Sequence, residues 1–349
     1  MDATTDQPAA DYRAEDAARA LRGAGWGEVE VLDTVASTNA WLAERIADAA
    51  REPEGADTSH ETRSPQPTSP QPTPSESALR QPASRDAAPR TSAPGQSAPR
   101  AVVAGFQAGG RGRLNRQWVT PPGTAVTFSV ACVPVDHAGR AWSPELVPWL
   151  TLLMADAVTG AVRDLTGVPA TIKWPNDVLI RDRKLCGILA TMVPAAATGG
   201  TGTGSAPTVV VGAGINVAQT ELPVPTATSL RLETVAGSST DDVAVPTRPA
   251  VLTAVLEHLA DLLARVAEDP ARELGPHGSV RTEIEERLDT IGRRVAVQLP
   301  GTDQPAVGTA VGLGAAGQLV VRGQDGALRE FSAGDVVHVR PAAGQGARA

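Results

Sequence analysis

The middle of the sequence contains successive strand-length runs with too little chain between them for crossover helices. Three apolar, β-branched runs lie at Thr171–Trp174, Ile188–Val193 and Val209–Val217. Parallel strands need a connection of about a dozen residues or more, which is usually a helix. Here the connections are turn residues and an Ala/Gly/Thr stretch, for which we predict a flexible loop over 195–207. The sequence therefore predicts a mixed or antiparallel sheet and argues against a doubly wound one.

Apolar periodicity adds further elements around these runs. Helices are predicted at Asn39–Ala49, Leu146–Leu165 and Leu252–Val266, and strands at Val102–Phe106 and Val126–Val133. The most apolar long segment, Leu146–Val162, contains Asp156. A charge within it favours a buried helix over a membrane span.

After Glu283 the pattern changes to short strands separated by Gly-containing turns. They are predicted at Arg294–Leu299, Ala306–Gly312, Gln318–Arg322, Leu328–Phe331 and Val336–Arg340. So many short strands within about 60 residues indicate a small β-barrel. The fold class is therefore α+β, a mixed or antiparallel sheet with flanking helices followed by this barrel.

Residues 51–100 differ in composition from the rest of the chain. They contain ten prolines, a repeated Ser-Pro-Gln-Pro-Thr and one large apolar residue, Leu79. Because so little apolar surface can be buried, we predict a disordered insertion. A proline-rich ligand for a small recognition domain is the alternative.

Charge and cysteine content limit the environment and the partners. The formal net charge is −8, which argues against a nucleic-acid backbone as the main partner. Two cysteines, Cys132 and Cys186, cannot make a disulfide framework, so a reducing compartment is the simpler interpretation. The first 30 residues contain no apolar run typical of a signal peptide. We expect a cytoplasmic protein that does not bind membranes.

Lysine and asparagine are scarce. Lysine and arginine total 31, yet the lysines are Lys173 and Lys184 alone, and the asparagines are Asn39, Asn115, Asn176 and Asn216. Lysine is a compact point charge and arginine a planar fork, so the two are not interchangeable in a tight site. The retained residues are candidates for chemistry, with chance retention as the alternative for any one of them.

Two motifs contain charged residues in patterns that indicate a site for an anion or a phosphate group. From Gly105 to Trp118, glycines alternate with arginines, which is typical of a loop that approaches an anion. A solvated or nucleic-acid-binding loop is the alternative. The second motif, Lys173-Trp-Pro-Asn-Asp177 with the following Lys184, lies on a predicted hairpin and indicates a site for triphosphate and Mg²⁺. Its alternative is a Pro-Asn-Asp surface turn.

Two further motifs are weaker alone. Ser37-Thr38-Asn39 is by itself an ordinary helix N-cap. In Val209–Val217, Gly212 and Gly214 allow a ligand ring to lie against the backbone, with Asn216 as a hydrogen-bonding group. A dinucleotide-binding fingerprint is excluded there, because Val217 stands where the third glycine belongs.

Together and in this order, the four motifs resemble those of biotin–protein ligases, over about residues 28–50 and 101–340. The resemblance implies a biotin/lipoate ligase-like catalytic domain over 28–282 and an SH3-like barrel over 283–341. A short N-terminal segment over 1–27 and a disordered tail over 342–349 flank them. The resemblance also implies ATP-dependent ligation of biotin, through biotinyl-5′-AMP, to a lysine of biotin carboxyl carrier domains. Acetyl-CoA, other acyl-CoA and pyruvate carboxylases are the expected sources of those acceptor domains, and a homodimer is left open.

The resemblance also implies roles for individual residues. The expected catalytic residues are Lys184, Arg111, Arg113 and Asp177. The expected biotin-binding residues are Ser37, Thr38, Asn39, Gln107, Arg111, Gly112, Arg113, Lys184 and Gly187. The expected ATP- and adenylate-binding residues are Arg116, Trp118, Lys173, Asn176, Asn216 and Arg340. Asn176 and Asp177 are expected to meet Mg²⁺ weakly, through the phosphates.

Some features depart from that family or leave other functions open. Asn115 stands where the arginine loop usually has another glycine. About 27 residues precede the catalytic domain, too few for a winged helix-turn-helix, so we expect no specific DNA binding. The alternatives are a lipoate or octanoate ligase of similar fold and a non-catalytic biotin-binding regulator.

Overall fold

The computed structural model describes residues 26–27, 29–49, 100–193, 206–237, 245–299, 301–302, 304–332 and 334–338. Several predictions lie outside the described residues. They concern nearly all of the N-terminal segment, the insertion up to residue 99, residues 195–205 of the predicted loop, Arg340 and the C-terminal tail.

Seven strands form one mixed sheet in the order β1-β2-β5-β9-β8-β7-β6. They are β1 (Val29–Val35), β2 (Ala101–Gln107), β5 (Ala125–Cys132), β6 (Ala170–Lys173), β7 (Asp177–Ile180), β8 (Arg183–Val193) and β9 (Thr208–Asn216). The β1–β2 pair is parallel, and the other neighbouring pairs of this sheet are antiparallel. The predicted mixed sheet is confirmed. A separate two-stranded ribbon, β3 (Gly110–Arg111) and β4 (Gln117–Trp118), carries the arginine loop.

Alternation along the strands divides the core between the two faces of the sheet. Val103 and Val211 pack in a large cluster with the helix Trp149–Thr166. Val102 and Val210 pack on the other face with Leu42 of the helix Thr38–Ala49. Successive strand residues point to opposite faces, so an unbroken apolar strand must be covered on both. The helices are α1 (Thr38–Ala49), α2 (Trp149–Thr166), α3 (Leu230–Gly237), α4 (Arg248–Glu268), α5 (Pro270–Glu273) and α6 (Ser279–Arg287).

Helix α2 is the predicted buried helix. The segment Pro144–Thr166 is long and apolar enough to cross a membrane, but 83% of its most apolar window is buried inside the protein. It packs mainly against α4 and the sheet. Cys132 and Cys186 are also buried, and both are free.

The C-terminal part forms a five-stranded antiparallel sheet in the order β13-β12-β11-β10-β14. Its strands are β10 (Arg294–Gln298), β11 (Ala306–Leu313), β12 (Leu319–Gly323), β13 (Leu328–Phe331) and β14 (Asp335–His338). Two buried indoles hold its β11–β12 turn on the larger domain. Trp149 Nε1 donates to Ala315 O and Trp174 Nε1 donates to Gly317 O, each at 2.9 Å. Buried tryptophans need such partners, and here the partners fix the C-terminal sheet beside the Lys173–Asp177 turn.

Candidate active site

All four motifs converge on one cavity of about 590 Å³. Its walls come from the N-terminus of α1, the arginine loop, the β6–β7 turn, strands β8 and β9, the segment 222–227 and the start of β14. Every predicted site residue except Arg340 lines it. Segments far apart in the sequence thus meet at one place, as the motif analysis predicted.

One end of the cavity, here called the neutral end, is lined by the uncharged side chains of Ser37, Thr38, Asn39 and Gln107, and the buried Ser129 supports it from behind. Thr38 donates from its backbone N (2.9 Å) and its hydroxyl (3.1 Å) to Gln107 Oε1. The hydroxyl of Ser129 donates to Asn39 Oδ1 at 2.6 Å and lies 2.8 Å from Thr38 Oγ1. Asn39 Nδ2 donates to Leu189 O at 2.8 Å. These polar groups are therefore satisfied by one another and by the backbone.

Glycine at position 212 makes the neutral end sterically feasible. A Cβ atom there would lie 1.9 Å from Asn39 Oδ1. At position 214, a Cβ would lie 2.7 Å from Nε1 of Trp118. The sequence predicted that these glycines leave room for a ligand ring. In the structure, the room at Gly212 holds the amide of Asn39 and that at Gly214 holds the indole of Trp118, because both side chains fold onto β9.

The opposite end, here called the charged end, holds six ionisable side chains: Arg113, Arg116, Lys173, Asp177, Lys184 and Asp335. Lys184 Nζ lies 2.6 Å from Asp177 Oδ1 and 5.6 Å from the ring centroid of Trp118. The pairing of β7 with β8 shifts at this point, since Leu179 faces Lys184 but Val178 faces Cys186. Such a bulge turns a side chain away from the regular alternation, and here it accompanies the approach of Lys184 to Asp177.

Burial shifts the ionisation of two cations at the charged end. It lowers the pKa of Lys173, an effect opposed by Asp177 and reinforced by Lys184. Burial also lowers the pKa of Arg113, opposed by Asp335 and Asp177. With Arg111, which also lines the cavity, five cations face two carboxylates, so the site has surplus positive charge that an anionic ligand would neutralise.

Two amides and one exposed ion pair complete the walls. Asn176 Nδ2 donates to Ile188 O at 2.8 Å, and its Oδ1 accepts from Arg113 at 3.3 Å. Asn216 is buried and donates to Thr228 O at 2.9 Å. Arg116 is paired with Asp335 of β14, so the arginine loop contacts the C-terminal sheet.

Sequence reasoning missed two residues of the site. Ser129 is a small polar residue within an apolar strand, and it belongs to none of the four motifs. Asp335 was passed over because the C-terminal contribution was assigned to Arg340, which lies outside the described residues. A polar residue inside the predicted strand 126–133 was the available signal for Ser129.

Comparison with known proteins identifies the family. The biotin/lipoate A/B protein ligase family model matches residues 89–216, and the biotin protein ligase C-terminal domain model matches residues 290–339. The biotin–[acetyl-CoA-carboxylase] ligase of Mycobacterium tuberculosis is 36% identical over 242 residues, which cover 68% of this chain and 79% of that protein. The chain belongs to the biotin protein ligase family.

Other members of this family agree over shorter stretches or in fold. The bifunctional ligase/repressor BirA of Bacillus subtilis is 40% identical over 91 residues, 26% of each chain. The solved biotin protein ligase of Aquifex aeolicus in complex with biotin and ATP aligns with a TM-score of 0.57 and 23% identity, covering 90% of this chain and 100% of that one. The predicted α+β fold with a small C-terminal β domain is thereby confirmed as the fold of the family.

Proposed function

We propose that this protein ligates biotin to a lysine of a biotin carboxyl carrier domain, in two steps that consume ATP. The observation that carries this proposal is the division of one cavity into a neutral end and a charged end. Biotin has an uncharged ring system joined by an aliphatic chain to a carboxylate, and ATP has a polyanionic triphosphate. A cavity with fixed hydroxyl and amide groups at one end and surplus positive charge at the other complements that pair of substrates.

In the first step, a carboxylate oxygen of biotin attacks the α-phosphorus of ATP, and pyrophosphate leaves. Biotinyl-5′-AMP results. Both reactants are anionic, so catalysis depends on positioning them and on stabilising the developing charge. We assign these tasks to Lys184, Arg111 and Arg113, while Lys173 and Arg116 bind phosphates. Asp177 orients Lys184 through the 2.6 Å ion pair.

In the second step, the acceptor lysine nitrogen attacks the acyl carbon of the adenylate, and AMP leaves as an amide forms. The mixed anhydride is also open to attack by water. The loop containing Arg111, Gly112 and Arg113 closes over it and excludes water, and Trp118 faces the adenosine. Ser37, Thr38, Asn39 and Gln107 hold the biotin ring system, with Gly187 beside its carboxylate. Asn216 and Arg340 contribute to the nucleotide side.

Magnesium fits the charged end as an ion held mainly by substrate. The described residues contain no group of three or more His, Cys, Asp or Glu side chains that could hold a metal alone. Mg²⁺ commonly binds through one or two protein oxygens together with substrate phosphates. Asn176 and Asp177 would be those protein ligands. The bound ion would neutralise phosphate charge and make pyrophosphate a better leaving group.

The acceptor and the location follow from the same assignment. The relative named biotin–[acetyl-CoA-carboxylase] ligase supports the carrier domain of acetyl-CoA carboxylase as the acceptor. We propose other acyl-CoA and pyruvate carboxylases as further sources of acceptor domains. We place the protein in the cytoplasm, where ATP and such carboxylases occur together.

Intact mass spectrometry of an isolated carrier domain tests this function. The full chain is incubated with the domain, Mg²⁺-ATP and either biotin or lipoate. We expect a biotin-sized mass gain that requires ATP and is lost when the acceptor lysine is replaced by arginine. A gain with lipoate alone would assign the activity to lipoate ligation. No gain with either, despite biotin binding, would favour a non-catalytic regulator.

A further inference from the structure

Glu233 is a fully buried acid in the first turn of α3 that none of the motifs includes. Its exposed fraction is 0%. It accepts hydrogen bonds from Thr228 Oγ1 at 2.6 Å, Arg183 Nη2 at 2.5 Å and Arg181 Nη1 at 3.1 Å. A buried carboxylate is tolerated when charged donors saturate it in this way, and breaking such a cluster is strongly destabilising.

Both arginines belong to the hairpin that contains Lys184. Arg181 and Asp182 form the β7–β8 turn with φ values of 48° and 62°. Two-residue hairpin turns of this kind favour Asn or Gly, because other residues adopt positive φ at a cost of about 1 kcal/mol or more each. The ion pairs of Glu233 with Arg181 and Arg183 help to offset that cost, so the acid holds the turn in its shape.

Thr228 connects the same acid to the other side of Lys184. The segment 226–228 pairs in parallel with β8 at Lys184. Lys184 N donates to Thr226 O at 2.7 Å, and Thr228 N donates to Lys184 O at 2.8 Å. Glu233 thereby fixes the turn that precedes Lys184 and also the segment that holds its backbone.

We propose that Glu233 is a positioning residue, which sets the place of Lys184 in the charged end without touching substrate. The inference rests on the proposed function, in which Lys184 helps to position the two anionic reactants and to stabilise the developing charge. A displacement of about 1 Å in a positioned group can reduce a rate roughly 100-fold. Loss of the Glu233 cluster is therefore expected to slow adenylation far more than it weakens biotin binding at the neutral end.

The kinetic test uses Glu233→Gln, in which the amide still accepts from Thr228 but carries no charge for the arginines. The matched control is Glu273→Gln, because Glu273 is also buried, with 7% exposed, and accepts from Ser279 at 2.6 Å and Arg272 at 2.8 Å. For Glu233→Gln we expect kcat of adenylation to fall roughly 10- to 100-fold, with the biotin Kd within about 3-fold of wild type. Glu273→Gln should change neither.

A second readout does not depend on activity. The chain has two lysines, Lys173 and Lys184, so labelling with ¹³C-lysine gives two side-chain NMR signals, which the Lys184→Arg variant assigns. In Glu233→Gln the Lys184 signal should shift clearly more than that of Lys173. Arg181→Gly removes one partner at a backbone conformation that glycine adopts freely, and it should shift the same signal by a smaller amount.

The results separate the two proposals. If wild type forms adenylate and Glu233→Gln does so at the wild-type rate, or if its two lysine signals do not move, Glu233 does not position Lys184. If the two signals move equally, the acid only stabilises the domain and the inference is wrong. If wild type forms no adenylate, the proposed function fails, while the lysine signals still decide whether Glu233 positions Lys184.

Discussion

The two ends of the cavity use opposite means to prepare for substrate. At the neutral end, Thr38, Asn39 and Ser129 satisfy one another and the backbone without any charge. At the charged end, the cations Lys173 and Lys184 share Asp177, and each segment of that end is held by ion pairs to another segment. The neutral end is thus held by hydrogen bonds between uncharged groups, whereas the charged end has more cations than carboxylates and suits an anionic ligand.

The largest expected effect comes from removing the central cation of the charged end. Lys184→Ala should lower the rate of adenylation by roughly 100- to 1000-fold, since a preorganised charge that stabilises the transition state is lost. Biotin binding at the neutral end should persist. Pyrophosphate release and biotin titration calorimetry measure the two quantities separately, with circular dichroism as the check on folding. Normal adenylation by this variant would contradict the role given to Lys184.

Asp156, a buried carboxyl group outside the cavity, provides a comparison for the effect of burial on the ionisation of groups at the charged end. Asp156 in α2 is 0% exposed, and its Oδ2 accepts from Arg287 at 2.8 Å. Its Oδ1 has no hydrogen-bond partner among the described residues. Burial raises the pKa of Asp156 from 3.8 to about 6, although Arg287 opposes the shift.

This pKa predicts a pH-dependent stability with a definite sign. The folded state binds the proton more tightly than the unfolded state, so the contribution to stability is full below about pH 4 and is lost as the pH rises through about 6. Relative to Asp156→Asn, wild type should lose up to about 3 kcal/mol of unfolding free energy between pH 4 and pH 7. Urea unfolding across that range measures it, with Asp261→Asn as control, because Asp261 is exposed on α4 and its ion-pair partner is Arg265. A difference in unfolding free energy between wild type and Asp156→Asn that does not change with pH would contradict the raised pKa of Asp156.

The smallest effect is expected at the neutral end. Ser129→Ala removes the hydroxyl that donates to Asn39 Oδ1, and an unpaired buried acceptor costs about 1–3 kcal/mol. The biotin Kd should rise roughly 10-fold, while kcat at saturating biotin stays near wild type. Thr159→Val is the matched control, because among the described residues the buried hydroxyl of Thr159 bonds within α2, to Ala155 O. A fall in kcat of Ser129→Ala without a change in its biotin Kd would contradict the separate roles given to the neutral end and the charged end.

Much of the fold was predictable because it depends on local periodicity. The apolar, β-branched runs predicted β2, β5 and β9, and the spacing of glycine-containing turns predicted the five C-terminal strands, all to within about two residues at the described ends. Strand β1 was missed, since Val29–Val35 is a half-exposed edge strand that contains acids at positions 30 and 33. Strand β7 was missed because it has only four residues and begins at Asp177, within the Pro-Asn-Asp motif that indicates a turn.

The candidate site was predictable as a set of motifs and not as a set of contacts. Rare residues such as Lys184 identified the charged end, and the order of the motifs predicted their convergence. The partners of those residues depend on tertiary proximity. Arg183 and Glu233 are 50 positions apart, and Ser129 and Asn39 are 90 apart. No local spacing encodes such pairs, so Glu233 and Ser129 became visible only in the folded chain.

The most direct measurement is to mix the full chain with biotin and Mg²⁺-ATP, without any acceptor, and to analyse the bound small molecules by mass spectrometry. We expect biotinyl-5′-AMP to be retained at about one equivalent per chain, with a matching amount of pyrophosphate released. Bound biotin with neither adenylate nor pyrophosphate would contradict it, because the charged end would then have no role in catalysis.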